Sequence, residues 1–272
     1  MRPLADMPDA LAARVSLVLT DIDDTLTYRG RLPADAYRAM EDLTNAGFRV
    51  APITGRPAGW CDMVARFWPV AGVVGENGAF YFAYDDANRK MRRVFAASRA
   101  ERAENRRRLE LVRDRVLAEV PGAAVSADQA YREADLAVDF CEDVAPLTRE
   151  AVQRIKQIFE QAGATAKISS IHVNGWFGAY DKLSMTRRFA REVAGLDLNG
   201  ERERVVFVGD SPNDAPMFGF FPLACGVASI RDFAGELDAW PAYVTPGAGG
   251  RGFVEVAQTL LAARRMSVGR SP

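Results

Sequence analysis

Short apolar segments alternate with amphipathic ones in the first and last thirds of the chain. Residues 15–20, 48–53 and 70–74 are rich in β-branched and other apolar residues, as expected of strands buried on both faces. Residues 33–45 have helical spacing, with Pro33 in the first turn and Gly47 just past the end. Strands that alternate with helices predict a parallel sheet with right-handed crossovers.

A different pattern interrupts this alternation in the middle of the chain. Here we expect strands at 79–83, 92–96, 136–141 and 166–174 and helices at 98–120 and 148–162. The first style then returns, with helices at 181–194, 214–220 and 252–264 and strands at 204–208, 224–228 and 242–244. The predicted fold class is therefore α/β: a Rossmann-like parallel-sheet core of residues 1–81 and 177–272, with an inserted α+β cap domain at residues 82–176.

Composition excludes several classes of protein. With 272 residues, 49% of them hydrophobic and 26% charged, the chain is typical of a globular protein with one or two domains, and not of a disordered or collagen-like one. Lys and Arg number 35 against 36 Asp and Glu, a net charge of −1, so no basic excess favours nucleic acid or an anionic membrane as a partner.

The sequence gives a consistent expectation for compartment. Three widely separated cysteines, Cys61, Cys141 and Cys225, predict reduced thiols in a cytoplasmic protein. Charged residues at positions 6, 9 and 14 interrupt any signal-peptide core, and no apolar run is long enough to span a membrane.

Four polar clusters follow predicted strands or begin predicted helices. They are Asp21-x-Asp23-x-Thr25, Thr54-Gly55-Arg56, Lys182, and Gly209-Asp210-Ser211-Pro212-Asn213-Asp214. Ligands of parallel α/β sheets bind beyond the carboxyl ends of the strands, so we expect the four clusters to share one crevice.

The acids of these clusters indicate a metal site. Asp21, Asp23, Asp210 and Asp214 would repel one another if they met in one crevice, and Lys182 supplies only one positive charge. A hard divalent cation with oxygen ligands is therefore implied, and Mg²⁺ suits a partly hydrated carboxylate site.

Each cluster taken alone has a structural interpretation. Asp-x-Asp is common in turns and helix caps, Thr-Gly in loops, and residues 209–214 would suit a turn and an N-cap. Lys182 alone would be an ordinary surface lysine. All four occur in order at strand ends or helix starts, and this favours a catalytic site.

With these motifs the sequence resembles the haloacid dehalogenase superfamily of phosphotransferases over nearly its whole length. The matches are residues 21–27, 53–57, 181–182 and 209–214, with 75–79 and 224–228 as further matches to the branch with a large α/β cap, which includes Cof-like proteins and sugar phosphatases. Two positions depart from the pattern: Asp24 stands where the family usually has Gly, and Leu183 where this branch often has Gly.

The resemblance implies roles for individual residues. Asp21 would be the nucleophile that forms an aspartyl-phosphate, and Asp23 the general acid and base. Lys182 would neutralise the phosphate. Mg²⁺ would be held by Asp21, Asp210, Asp214 and the backbone carbonyl of Asp23. Phosphate oxygens would contact Thr54, the loop residues Gly55 and Arg56, and Asn213.

Residues of the insert leave more than one interpretation open. His172 is either a structural residue or a contact to a substrate hydroxyl, Arg56 could serve an ion pair instead of the substrate, and Trp176 and Phe177 suit packing better than sugar stacking. Hinges are expected at residues 75–78 and 174–178. The arginine-rich segment 98–120 suits a solvated helix with i,i+4 ion pairs or a basic face for an anionic partner.

The resemblance predicts a Mg²⁺-dependent phosphatase for a small phosphorylated metabolite, with a sugar phosphate as the expected substrate. A phosphohexomutase of the same superfamily is the alternative, and a catalytically silent regulatory binding protein is a third possibility. The expected partner is a small phosphate ester, without nucleic acid or membrane, and the expected state is a monomer or homodimer in the cytoplasm.

Overall fold

The computed structural model describes residues 1–169 and 171–268. Its strands are β1 (Arg2–Pro3), β2 (Leu17–Thr20), β3 (Arg49–Pro52), β4 (Val73–Gly75), β5 (Phe80–Asp85), β6 (Lys90–Phe95), β7 (Ala124–Val125), β8 (Leu136–Asp139), β9 (Thr165–Ile168), β10 (His172–Trp176), β11 (Val205–Gly209), β12 (Leu223–Gly226) and β13 (Tyr243–Val244). Its α-helices are α1 (Asp9–Ala12), α2 (Ala34–Asn45), α3 (Ala58–Phe67), α4 (Arg99–Glu119), α5 (Arg149–Gln161), α6 (Lys182–Phe189), α7 (Leu198–Glu201), α8 (Ala215–Phe220) and α9 (Gly250–Val268).

The central sheet is parallel, with the strand order β1-β13-β12-β11-β2-β3. This confirms the predicted α/β core. Thr20 at the end of β2 pairs with Val208 of β11 and with Pro52 of β3. The three neighbouring strands therefore end at the same edge, and the polar clusters that follow them are brought together.

Two hydrophobic layers explain the unbroken apolar runs of the central strands. Val206 and Val208 of β11 pack into the cluster beneath α2 and α9, whereas Val205 and Phe207 pack on the opposite side, with α6 and α8. Because successive side chains point to opposite faces, both must be apolar in a sheet covered on both sides.

The hairpin of β5 and β6 pairs with β4 and packs against α3. β5 pairs with β4, and Val74 of β4 pairs with Ile53 just beyond β3. The hairpin also packs on α3, where Phe80 meets Cys61. The expected hinge at residues 75–78 lies inside the core, because the strands on either side of it pair with each other. We therefore propose that the inserted domain begins at Ser98, not at residue 82.

The cap consists of one antiparallel sheet and two helices. Its strand order is β7-β8-β10-β9, and α4 and α5 cover one face with a separate core that includes Val116, Phe159 and Val173. The prediction of a single strand at residues 166–174 is wrong. The segment forms the antiparallel strands β9 and β10, and the backbone N–H of Ser169 donates to the carbonyl of His172 where the chain turns.

Surface features of the chain follow ordinary rules. Helix α4 begins with a capping box between Ser98 and Glu101, and its Arg115 pairs with Glu119 one turn on, at 2.6 Å. The three cysteines form no disulfide. In the described part of the chain, no helix combines the length and the apolar character needed to cross a bilayer.

Candidate active site

Three buried aspartates meet at the carboxyl edge of the central sheet. Asp21 directly follows β2 and donates its backbone N–H to Val208 of β11 at 2.9 Å. Asp210 directly follows β11, and Asp214 lies one turn later. One carboxylate oxygen from each aspartate lies within 4.8 Å of the other two. The parallel order of β2 and β11 thus joins side chains about 190 positions apart in sequence.

Lys182 lies between two of these acids. Its ammonium group donates to Asp21 Oδ1 at 2.8 Å and to Asp214 Oδ1 at 2.9 Å. It is the first residue of α6, whose start is fixed by a capping box between Asp181 and Ser184. Leu183, which departs from the family pattern, is accommodated within this regular helix start.

The charges of the cluster fit a divalent cation. Burial raises the pKa of Asp21 to about 7, although the positive charge of Lys182 opposes the rise. Burial also raises the pKa of Asp210, and the negative charges of Asp21 and Asp214 add to this rise. Three ionised carboxylates with one ammonium leave two uncompensated negative charges. Oxygen donors within a few ångströms of one another are the ligand set that Mg²⁺ accepts.

The remaining bonds of the two acids suggest different roles at such a site. Asp210 Oδ1 accepts the Thr25 hydroxyl at 2.9 Å, its one side-chain hydrogen bond within residues 1–169 and 171–268. Asp214 has both oxygens engaged, by Lys182 and by the backbone N–H of Asp210. Asp21 and Asp210 are therefore the better direct ligands, and Asp214 is better placed to hold Lys182.

The backbone explains why an aspartate can occupy position 24. Asp24 has φ +55°, the left-handed conformation that glycine adopts freely and that Asp tolerates better than most residues. Its N–H donates to the Thr27 hydroxyl at 2.9 Å. The departure from the family pattern therefore preserves the turn after β2.

The loop after β3 supplies the next part of the site. Thr54 is fully buried, and its hydroxyl accepts the Arg56 N–H at 3.0 Å. A Cβ on Gly55 would come within 3.2 Å of the Asn77 amide, so a glycine keeps this approach open. Gly55 and Arg56 line a cavity over Asp21, together with Asn213 from the loop after β11.

Arg56 links Asp23 to the cap. Its Nε and Nη2 donate to the two oxygens of Asp23, each at 2.9 Å, and Nη2 lies 3.3 Å from Glu142 of the cap. The guanidinium also lies 4.4 Å from the ring centre of Trp60. The structure thus places Arg56 in an ion pair that engages both carboxylate oxygens of Asp23.

His172 lies on the cap wall of the same cavity. Its Nε2 is 2.9 Å from Glu142 Oε2, and burial, followed by the nearby Arg132, lowers its pKa. Trp176 is packed against Tyr180, with ring centres 5.8 Å apart, and Phe177 joins the cap core. Neither aromatic residue is among those that line the cavity over Asp21.

Sequence reasoning missed a buried arginine of the cap that contacts the core. The Arg132 side chain is 1% exposed and pairs with Asp128 at 2.8 Å and Asp135 at 3.0 Å. Its Nη1 also donates to the Gly55 carbonyl at 2.9 Å. Its two ion-pair partners lie only four and three positions away within the cap, but the contact to Gly55, 77 positions away in the core, leaves no local pattern in the sequence.

Glu76 forms a second link that the sequence did not reveal. Its carboxylate accepts the backbone N–H groups of Ala58, Glu133, Ala134 and Asp135 at 2.6–3.2 Å. Burial and the charge of Asp135 raise the pKa of Glu76 to about 8, while these donors oppose the rise by stabilising the anion. One core side chain thus holds the cap segment next to Arg132.

The cavity enclosed by these contacts is small. It has a volume of about 30 Å³, room for little more than one water molecule. Small-molecule sites commonly measure ~300–1,000 Å³. Core and cap thus close over Asp21 in this structure, and a ligand larger than water would fit this cavity only if the two moved apart.

Comparison with known proteins gives a likeness of fold. No protein-family model and no curated protein matches the sequence. A structure from Thermoplasma acidophilum matches with a TM-score of 0.68 and 18% identity, covering 90% of this chain and 98% of that one. A HAD/Cof-like hydrolase from Plasmodium vivax matches with a TM-score of 0.65 and 18% identity, covering 94% and 99%.

A third solved structure is similar over both domains. The sucrose-phosphatase from Synechocystis, in complex with sucrose and phosphate, matches with a TM-score of 0.59 and 12% identity, covering 90% of this chain and 97% of that one. These alignments take in the core and the cap together. The chain therefore has the fold of the haloacid dehalogenase-like hydrolases, with an α/β cap inserted into a Rossmann-like core.

Proposed function

We propose that this chain is a Mg²⁺-dependent phosphatase that hydrolyses small phosphate esters through a phosphorylated Asp21. The observation that carries the proposal is the position of Asp21. It is buried beneath a closed cap, 2.8 Å from Lys182 and in one cluster with Asp210 and Asp214. The fold shared with a sucrose-phosphatase supports the same reaction class.

The metal would be held by the carboxylates of Asp21 and Asp210. When bound there, Mg²⁺ supplies positive charge that offsets the repulsion between the Asp21 carboxylate and the phosphate. Lys182 would add a fixed positive charge next to Asp21, and Asp214 would keep that ammonium in place.

The reaction has two displacements at phosphorus. In the first, an Asp21 oxygen forms a bond to phosphorus as the bond to the ester oxygen breaks, and Asp23 gives its proton to the leaving alcohol. In the second, Asp23 takes a proton from water, and the water oxygen attacks phosphorus and displaces Asp21. The net change is one water consumed and one alcohol and one inorganic phosphate released.

The cap would protect this chemistry from solvent. Arg56 contacts both Asp23 and Glu142, and Glu142 lies 2.9 Å from His172. These side chains would limit the access of water beside Asp23, whose own side chain is 28% exposed. Sugar phosphates are the first esters to assay, given the sucrose and phosphate bound to the similar sucrose-phosphatase.

Hydrolysis of p-nitrophenyl phosphate tests the proposal. We expect turnover with Mg²⁺, none with EDTA, and a loss of at least ~10³-fold in Asp21→Asn. Asp86→Asn, in the exposed turn between β5 and β6, is the matched control and should behave as the wild type. Absence of Mg²⁺-dependent turnover on this ester and on a set of hexose phosphates would overturn the proposal, as would full activity of Asp21→Asn. Isomerisation of a hexose phosphate without phosphate release would indicate a mutase.

A further inference from the structure

One face of the cap sheet points into the crevice above Asp21. Lys167 of β9 pairs directly with Asn174 of β10, and residues directly opposite in antiparallel strands lie on the same face. Asn174, His172 and Ser169 line the cavity over Asp21 together with Lys167. The intervening residues Ala166 and Val173 point the other way, into the cap core.

Lys167 differs from the other cations of this cavity. Arg56 is paired with Asp23 and Glu142, and Arg132 with Asp128 and Asp135. Among the residues that the structure describes, no carboxylate oxygen lies within 4.0 Å of the Lys167 ammonium. The wall that faces the phosphate site therefore carries one positive charge without a protein partner.

A larger cavity adjoins the closed one on the side of Lys167. Its volume is about 490 Å³, and it shares Lys167, Ser169, Ser211 and Asn213 with the cavity over Asp21. The size suits a small metabolite. Its apolar walls come from both domains: Phe140, Leu147, Val152, Ile168, Pro212 and Phe233.

The other charges of this larger cavity are mostly paired. Arg149 pairs with Glu236 at 2.9 Å, and Lys156 pairs with Glu160 at 3.1 Å. Asp238 is the one further acid in the lining, and it makes no ion pair with Lys167 within 4.0 Å. Lys167 thus remains the cation at the junction of the two cavities that is open to a ligand.

We propose that Lys167 binds an anionic group on the leaving portion of the ester, either a carboxylate or a second phosphate. This inference rests on the proposed phosphatase function, because it takes the phosphate to be bound at Asp21. A substrate whose phosphate lies at Asp21 and whose remainder fills the larger cavity passes Lys167 at the junction. A carboxylate or phosphate forms a charge-assisted hydrogen bond with the ammonium, which is stronger than the hydrogen bond that a hydroxyl would form.

The matched substrates for the test are 3-phosphoglycerate and glycerol 3-phosphate. The leaving group of the first carries a carboxylate where that of the second carries a hydroxymethyl group. A second pair, glucose 1,6-bisphosphate and glucose 6-phosphate, tests a phosphate in place of the carboxylate. We expect kcat/KM to favour the more anionic member of at least one pair by about 10-fold or more, mainly through KM. The pair that shows the preference identifies the kind of anion.

Variants at position 167 connect the preference to this side chain. Lys167→Met should bring the ratio of kcat/KM within the pair close to one, and Lys167→Arg should retain most of the preference. Lys90→Met is the control, since Lys90 is exposed at the start of β6 and is not among the residues that line either cavity, and it should leave the ratio unchanged. Because Lys167 is exposed, its replacement is compatible with folding, which circular dichroism and thermal unfolding verify.

Two results would overturn the inference. One is equal kcat/KM of the wild type within both pairs, and the other is an undiminished preference in Lys167→Met. Either result is compatible with turnover of p-nitrophenyl phosphate, so the phosphatase proposal would survive. Failure of the phosphatase proposal itself would appear as no hydrolysis of any of these esters.

Discussion

The Arg56 guanidinium holds the Asp23 carboxylate with two parallel hydrogen bonds, each 2.9 Å long. This geometry fixes the carboxylate plane, because a guanidinium presents its donors as a rigid fork. The buried cluster of three acids around Lys182 consists of Asp21, Asp210 and Asp214 and does not include Asp23. In the proposed mechanism this difference leaves Asp21 to bond to phosphorus and Asp23 to transfer protons.

Asp23→Asn should trap the phosphorylated protein. p-Nitrophenolate leaves without help from an acid, so phosphorylation of Asp21 should proceed, whereas hydrolysis of the aspartyl-phosphate lacks its base. We expect kcat to fall by about 10²–10⁴-fold, with a burst of one nitrophenol per chain and an intact mass increased by one phosphoryl group after acid quenching.

Asp24→Asn is the matched control for this experiment. Position 24 has a left-handed backbone conformation that asparagine also tolerates, and the variant should show neither burst nor added mass. A steady slow rate from the first turnover in Asp23→Asn, with no phosphorylated chain, would contradict the two-step mechanism.

Removing one carboxylate from the acid cluster should stabilise the metal-free protein. In EDTA the mutual repulsion of Asp21, Asp210 and Asp214 is offset only by Lys182. Asp210→Asn keeps an acceptor for the Thr25 hydroxyl and removes one charge. We expect Tm in EDTA to rise by about 2–4 °C for each kcal/mol of repulsion relieved.

The same variant should lose the response to Mg²⁺. Magnesium at 100 times its Kd stabilises a folded state by about 2.7 kcal/mol, and differential scanning calorimetry should detect this rise in the wild type and in Asp86→Asn. Asp210→Asn should show little or none of it. A wild-type Tm unaffected by Mg²⁺ would speak against a metal at these acids.

Glu76→Gln should destabilise the closed structure. The Glu76 carboxylate accepts hydrogen bonds from the backbone N–H groups of Ala58 and of residues 133–135. In a glutamine, one of the two accepting oxygens is replaced by an NH₂ group, which would face these donors and could not accept from them. We expect a loss of about 1–3 kcal/mol in the free energy of unfolding, measured with urea. Glu133→Gln, at a half-exposed side chain, is the control, and an equal stability of both variants would refute the argument.

His172 should make the folded protein less stable at acid pH. Burial, with the adjacent Arg132, lowers its pKa from 6.5, and Glu142 and Asp128 only partly compensate. The unfolded chain then binds the proton more tightly, so the free energy of unfolding decreases as the pH falls below about 6.5. The slope is at most about 1.4 kcal/mol per pH unit and ends at the folded-state pKa.

His172→Asn isolates this contribution. The difference in unfolding free energy between the variant and the wild type should be constant above pH 7 and should shift in favour of the variant between pH 6.5 and pH 5. Urea titrations at several pH values provide the measurement. A difference that stays constant over the whole range would show that His172 takes up no proton on unfolding.

The sequence by itself determined the parallel core and the acidic clusters at its edge. A run such as residues 205–208 is entirely apolar, as expected of a strand in a sheet covered on both faces, and a polar motif directly after such a strand lies at the sheet edge. The start of helix α4 is likewise determined by neighbouring residues, because Ser98 forms a capping box with Glu101. Asp21 and Asp210 follow such strands, and Lys182 stands at the start of a predicted helix, so the sequence alone marks all three as candidates.

Only the tertiary structure decided how the cap meets the core. The partners of Arg132, Glu76 and Arg56 lie up to 86 positions away, and such pairs leave no periodic signal in the chain. The hairpin of β5 and β6 joined the core because its partner strand β4 and helix α3 offered it a sheet edge and an apolar surface. Hydrogen bonding and burial between distant segments settle these questions, and neither is encoded in a local pattern of residues.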